Sequence, residues 1–185
     1  MAGILKVDKY QDFNGNDIMT SDGSGNITIN NAALKMTPAF HAYLSTDQTG
    51  VSGGAATKVQ IDTEVLDTDS NYDNTTNYRF TPTTAGKYFI YGNISAEFDT
   101  DKLLWIRTQI RKNGTTISST DSLFADNTIS RLHAYASTIV DMNGSSDYVE
   151  IYCYINRYAG GSTTGIFHGS SERESYFGGY KIIGA

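Results

Sequence analysis

Between residues 62 and 73 the chain strings together Asp62, Glu64, Asp67, Asp69, Asn71 and Asp73. Two chemistries use such a run. A pair of carboxylates at the right separation hydrolyses glycosidic bonds, one as acid and one as base or nucleophile. Oxygen side chains at alternate positions begin a calcium loop, and Asp67-Thr-Asp69-Ser-Asn71-Tyr-Asp73 has that spacing. The calcium pattern breaks where it matters, because Tyr72 replaces the glycine of the sharp bend and Tyr78 stands where a bidentate Glu is required. The remaining chemical groups are scattered. His41, His133 and His168 lie on separate segments with no serine or cysteine motif beside them, and Cys153 alternates with apolar residues as a buried thiol does. One Cys and three scattered His offer neither a disulfide nor a metal finger. The reading is therefore a protein that is not an enzyme, with no catalytic residue, no metal and no cofactor. Asn74-Thr-Thr and Asn113-Gly-Thr match a glycosylation pattern but serve more simply as turns.

Composition describes the scaffold. Thirteen Tyr, eight Phe, eighteen Gly and only two Pro, among abundant Ser, Thr and Asn, favour short strands joined by polar turns. A net charge of −6 with 14 Lys and Arg leaves no basic stripe for phosphates, so nucleic acid is not an expected partner. No 18-residue apolar run and no basic-then-apolar start occur, so neither membrane insertion nor a secretory signal is expected. Residues 1–37 differ from the rest, with small apolar pieces (Ile4, Leu5, Ile18, Ile27, Ile29) between Gly- and Asn-rich turns. They read as an extended docking arm that lacks a core. From residue 38 to 185, about ten strand candidates recur at the spacing of a two-sheet jelly-roll sandwich. Asn113-Gly114 predicts a tight hairpin, so the preceding KLLWIRTQIRK is read as a strand although Leu103, Ile106 and Ile110 also fit a helical stripe.

Two strands carry aromatics on both faces. In GKYFIYGNISAEF, Tyr88, Ile90, Ile94, Ala96 and Phe98 form a core side, while Phe89 and Tyr91 share the other side with polar residues. In DYVEIYCYINR, Val149, Ile151, Cys153 and Ile155 suit the core and Tyr148, Tyr152 and Tyr154 line the reverse. A second apolar face suits contact with another protein surface. Exposed aromatics such as Trp105 and Tyr158 suit either packing or stacking on a sugar ring.

PAFHAYLS, NYDNTTNYRFTPTTAGKYFIYG, IRKNG and SYFGGYKII together resemble the complement C-one-q-like heads, which share their jelly roll with the tumour necrosis factor superfamily. The resemblance covers about residues 38–185. The arm's GILKVDKYQDFNGNDIMTSDGSGNITI is similar to the opening of virion fibre proteins from tailed bacteriophages. What these resemblances imply is a bacteriophage virion protein, made in the host cytoplasm, whose head is a homotrimer. In the head family the inner sheets face one another around an axis, which makes Phe89, Tyr91, Tyr148, Tyr152, Tyr154 and Tyr180 the expected trimer interface. Some family heads hold calcium near that axis; here Asp121 and Asp126 are available, but His133 stands where an acidic ligand belongs. The expected function is a tail fibre or tail appendage contacting the host surface, its arm docked on other virion proteins. A capsid decoration or head-fibre protein is the alternative, and a glycan-degrading appendage a weaker third. Loops at 46–57, 67–77, 119–130 and 158–164 are the expected receptor-facing connections. Tyr72, Asp126, Arg157 and Tyr158 are the residues expected to touch a host glycan or protein.

Overall fold

The computed structural model describes residues 7–30, 34–98, 103–124, 129–157 and 164–184. Arm positions Ile4 and Leu5, and loop positions Asp126 and Tyr158, lie outside the described residues. Sixteen strands are present among those described, where the sequence predicts about ten. Three belong to the arm: β1 (Lys9–Gln11), β2 (Asp17–Ser21) and β3 (Ile27–Ile29). The next are β4 (Ala39–Tyr43), β5 (Gln48–Ser52), β6 (Ala56–Lys58), β7 (Thr63–Asp67), β8 (Tyr72–Asp73), β9 (Arg79–Phe80) and β10 (Gly86–Phe98). The last six are β11 (Leu103–Lys112), β12 (Thr115–Leu123), β13 (Arg131–Met142), β14 (Val149–Arg157), β15 (Thr164–Phe167) and β16 (Tyr176–Lys181). The excess over ten comes from the arm, from short β5 and β8, and from one predicted strand that divides into β6 and β7. Strands of two or three residues leave almost no alternation to read.

Two sheets make the sandwich. The first runs β5-β15-β10-β16-β4-β7, with β13 on the other edge of β10; the second runs β12-β11-β14-β9-β8, with β6 also on β14. The β11–β12 hairpin turns at Asn113 and Gly114, both with positive φ (50° and 82°), as the Asn-Gly pair predicts. No helix among the described residues is long and apolar enough to cross a membrane.

The inner faces enclose one core. Phe40 stacks on Phe80 at 4.3 Å and on Tyr72 at 5.0 Å, and meets Phe177 edge-on at 5.0 Å. Tyr88, Ile90, Ile94 and Phe98 of β10 oppose Ile106 and Ile110 of β11 and Val149, Ile151 and Ile155 of β14, all fully or almost fully buried. Two tyrosines in this core find acceptors, as burial of a hydroxyl demands. Tyr72 donates to the Ile61 carbonyl at 2.9 Å and Tyr88 to the Thr84 carbonyl at 2.7 Å. Tyr88's phenol is pushed up to about 12, by burial first and the charge of Asp69 second.

The arm is not simply extended. β1, β2 and β3 pair antiparallel into a small sheet of their own. Its two turns are copies ten residues apart in sequence. Asp12 Oδ1 accepts the amides of Asn14 and Asn16 (both 2.9 Å), and Asp22 Oδ1 those of Ser24 (2.7 Å) and Asn26 (3.2 Å). The other carboxylate oxygen accepts the side-chain amide of Asn16 or Asn26 at 2.8 and 2.6 Å. Gly15 and Gly25 supply the positive φ (83° and 93°) each turn needs. Met19 sits in register with Tyr10 on one side and Ile29 on the other, and Tyr10, Met19 and Ile27 remain exposed.

Candidate functional site

Strand alternation sends every second residue of β10 to the outside of the first sheet, and the neighbouring strands do the same. The register then stacks these residues into rows. Phe89 lies beside Tyr180 and Ile139; Tyr91 beside Gly178 and Ser137; Asn93 beside Tyr176 and Tyr135. One strand further, Gly178 faces His41 and Tyr176 faces Tyr43. The rings touch: Phe89 to Tyr180 at 5.7 Å, Phe89 to Tyr91 at 5.9 Å, Tyr91 to Tyr176 at 6.3 Å. Gly178 is what lets Tyr91 lie flat across the strand, since a Cβ there would come within 2.6 Å of the Tyr91 ring.

These three central rows hold no Lys, Arg, Asp or Glu. Charge lies around them: Lys87 is bonded to Asp141 at 2.6 Å at one end, Glu97 is near Arg131 at 3.4 Å at the other, and Arg173 lies 5.4 Å over the Tyr43 ring. Ile139 is 61% exposed and Tyr135 45%. An apolar aromatic centre inside a charged rim is the anatomy of a protein contact surface. His41 is the one ionisable base in the centre. Its Nδ1 lies 3.2 Å from the Tyr91 hydroxyl, and its ring is 5.7 Å from that of Tyr176. Burial, then the charge of Arg173, lowers its pKa. Burial likewise raises the phenols of Tyr91 and Tyr176, so the neutral forms are favoured across the patch.

Phe89, Tyr91 and Tyr180 therefore lie together on this face. Tyr148, Tyr152 and Tyr154 do not. Tyr152 and Tyr154 belong to β14 and Tyr148 immediately precedes it, so they face outward from the second sheet, on the opposite side of the sandwich. The expectation of one six-residue interface is corrected on this point: alternation shows that a strand has two useful faces, but not which sheet the strand joins. His41, Tyr43, Tyr135, Ile139 and Tyr176 were missed. The signal was present, since His41 and Tyr43 alternate with buried Phe40 and Ala42.

The loop candidates fare differently. Tyr72 is only 6% exposed and stacks in the core, so it is withdrawn as a host contact; its buried neighbours Phe40 and Phe177 come from strands remote in sequence. Arg157 ends β14, half-buried. The expected loop 46–57 contains β5 and part of β6, and 119–123 belongs to β12. Of the arm residues, Ile18 and Ile29 are half-buried within the small sheet and Ile27 is exposed.

The acidic run is occupied with its own backbone. Asp62 accepts from the Ser45 amide and hydroxyl (both 2.9 Å), and Asp67 from the amides of Asn71 (3.1 Å) and Tyr72 (2.8 Å). Asp73 accepts from Thr76 at 2.9 Å and the Asn77 side chain at 2.7 Å, and these bonds hold its carboxyl far below the usual range. Oxygens turned onto amides close turns; they neither share a proton across a cleft nor converge on an ion. Burial raises the Cys153 thiol well above its ordinary value, which is the opposite of activation. His168 is buried with Nε2 3.0 Å from Glu97 and Nδ1 3.4 Å from Asp47, but the Nε2 contact is out of hydrogen-bond alignment.

Neither a family model nor a curated protein matches the chain. Solved structures do. The globular domain of zebrafish complement 1qA aligns over 79% of this chain and 98% of its own, at 17% identity and a TM-score of 0.51. Eiger, a tumour necrosis factor from S. frugiperda, covers 80% of this chain and 93% of its own at 13% identity, TM-score 0.56. Murine APRIL covers 78% and 98% at 12% identity, TM-score 0.54. The fold is the jelly roll of complement C-one-q and tumour necrosis factor domains. Identities this low carry the fold and nothing further.

Proposed function

We propose that the chain is a non-enzymatic virion protein of a bacteriophage, in which three heads associate through the face built on Phe89, Tyr91, Tyr176 and Tyr180. The observation that carries the self-association is the aromatic centre of that face, whose three rows hold no Lys, Arg, Asp or Glu. A lone domain leaves such a patch in water at a cost of roughly 25 cal/mol per Å² of apolar surface. Facing copies of itself removes that cost, and His41 and the tyrosine hydroxyls supply polar contacts that fix the register. Support for the virion comes from the resemblance of the arm to fibre openings, together with a separate arm sheet that leaves Tyr10, Met19 and Ile27 uncovered. On this reading the arm docks the trimer on other tail proteins, and the end of the sandwich around Arg157 turns toward the host.

Two measurements test the parts separately. Light scattering on the purified protein is expected to give three times the 20.2 kDa chain mass; a monomer at micromolar concentration overturns the trimer. Labelled antibody against the sandwich, residues 38–185, on intact particles is expected to decorate the tail. Labelling over the shell transfers the protein to capsid decoration, and no labelling removes it from the virion.

A further inference from the structure

The second sheet's outward face is built differently from the first. From β11 it presents Trp105, Arg107, Gln109 and Arg111; Tyr152 and Tyr154 come from β14, with Lys58 and Arg79 on the neighbouring strands. Cations and rings interleave. Arg111 lies 3.8 Å over the Tyr152 ring, with Lys58 also over that ring at 5.7 Å; Arg79 lies 4.3 Å over Tyr148 and Arg107 4.6 Å over Trp105. Trp105 and Tyr154 touch at 4.9 Å. From Trp105 to Arg111 the strip covers roughly 20 Å at about 3.3 Å per residue.

Four cations here meet three carboxylates, since Asp73 stands opposite Arg79 in register in addition to Asp121 and Glu150, on a chain whose net charge is −6. Asp121 accepts both Arg107 bonds, at 2.6 and 2.9 Å, and Glu150 pairs with Lys58 at 2.5 Å. Arg111 donates instead to the neutral Gln109 oxygen, at 2.7 and 3.1 Å. Neither Arg111 nor Arg79 has an ion pair among the described residues. A guanidinium over an aromatic ring can still offer N–H groups to a carboxylate: Arg111 keeps Nη1 outside its bonds to Gln109, and exchanging that neutral oxygen for a carboxylate would complete a fork.

We infer that this face binds an acidic polysaccharide, with Arg111 and Arg79 gripping its carboxylates and Trp105 and Tyr154 stacking on its sugar rings. Charge complementarity calls for an anion, and the sheet decides its kind. β11 is paired on both edges, by β12 and β14, and β14 by β11 on one side and by β9 and β6 on the other. An acidic peptide lying here can add no strand, so its main-chain bonds go unmade. A glycan held from above by ring faces and guanidinium forks needs no free edge. The trimer face is on the opposite sheet, so the inference stands whether or not that association occurs.

The test uses the full chain and alginate, a polyuronic acid, with neutral dextran and poly-L-glutamate as comparison probes, at low salt. Alginate alone is expected to bind. Arg79→Gln with Arg111→Gln is expected to weaken alginate binding at least about tenfold while the far-UV spectrum stays unchanged. Arg111→Lys keeps the charge but loses the fork, and retains only part of the affinity. Trp105→Ala weakens binding while leaving its salt dependence as in the wild type, because no charge is lost. Failure of the wild type to bind alginate overturns the proposal. So does an unchanged affinity in the double variant, or poly-L-glutamate or dextran binding as tightly as alginate.

Discussion

The two outward faces of the sandwich are written in nearly the same alphabet. Each alternates with the same core and sets tyrosines on a central strand, β10 for one and β14 for the other. They differ in what separates the rings. On the β10 face the neighbours of Phe89 and Tyr91 are Gly178, Ser137, Asn93 and Ile139, and among the described residues the cation–ring contact is Arg173 over Tyr43, at 5.4 Å. On the β14 face a cation lies over Tyr148, over Tyr152 and over Trp105. Rings packed against rings make a dry surface that matches a copy of itself, whereas rings crossed by guanidinium make a wet surface that sorts ligands by charge. Aromatic content alone does not distinguish a joint from a binding platform. The side chains between the rings do.

The largest effect expected is a contrast between matched substitutions. Tyr91→Glu sets a charge in the middle of the dry face and is expected to abolish the trimer, while Tyr152→Glu leaves the particle mass unchanged. Sedimentation of both variants decides it, and dissociation by Tyr152→Glu would reverse the roles of the faces.

Next in size, Gly178→Ala forces a Cβ to within 2.6 Å of the Tyr91 ring and must displace it. Overpacking of this kind costs about 1–3 kcal/mol, to be read as a lower melting temperature and weaker association. Alginate binding should be untouched, because the ring affected is on the other sheet.

Acid should act on one face only. His41's pKa is lowered from 6.5 within the folded chain, so the unfolded chain takes up its proton before the packed ring does. The stability contributed by the neutral ring is present above about pH 6.5 and drains away as pH falls below that value toward the lowered one. The melting temperature is expected to fall from pH 7.5 to 5, and His41→Gln to flatten the profile. A profile unchanged by that substitution would clear His41 of the effect.

The smallest effect belongs to the wet face. Arg107 and Asp121 are both substantially exposed, so Asp121→Asn should cost no more than about 1 kcal/mol of folding stability in thermal melts. The same change removes one of the three carboxylates beside the strip's cations and should tighten alginate binding modestly, visible as a lower Kd by titration.

Much of this was legible in the sequence for a physical reason. Long strands with strict alternation declare both their periodicity and their buried side, and β10, β11, β13 and β14 are of this kind. Asn113-Gly114 declares its hairpin because few other pairs accept two positive φ angles. What could not be read was partnership across long sequence distances. Tyr72 sits in a run of Asp and Asn and reads as a loop tip. Its burial depends on Phe40 and Phe177, which no local pattern announces. The assignment of Tyr148, Tyr152 and Tyr154 failed for the same cause, since β14 is centred in its sheet by pairing with β11 and β9. The matched turns of the arm were legible and were missed, because Asp, Gly and Asn recur at identical offsets from residues 12 and 22.

Those matched turns have a consequence for how such a chain can change length. Each is closed mainly by bonds among its own five residues, from Asp12 to Asn16 and from Asp22 to Asn26, with one added bond to the residue just before it: Gln11 donates to the Gly15 carbonyl, and Ser21 Oγ accepts the Gly23 amide. A segment that carries its own fastening behaves as a tile. Duplicating or deleting one ten-residue tile adds or removes a single strand, so unequal recombination within this stretch can widen or narrow the arm sheet in whole steps.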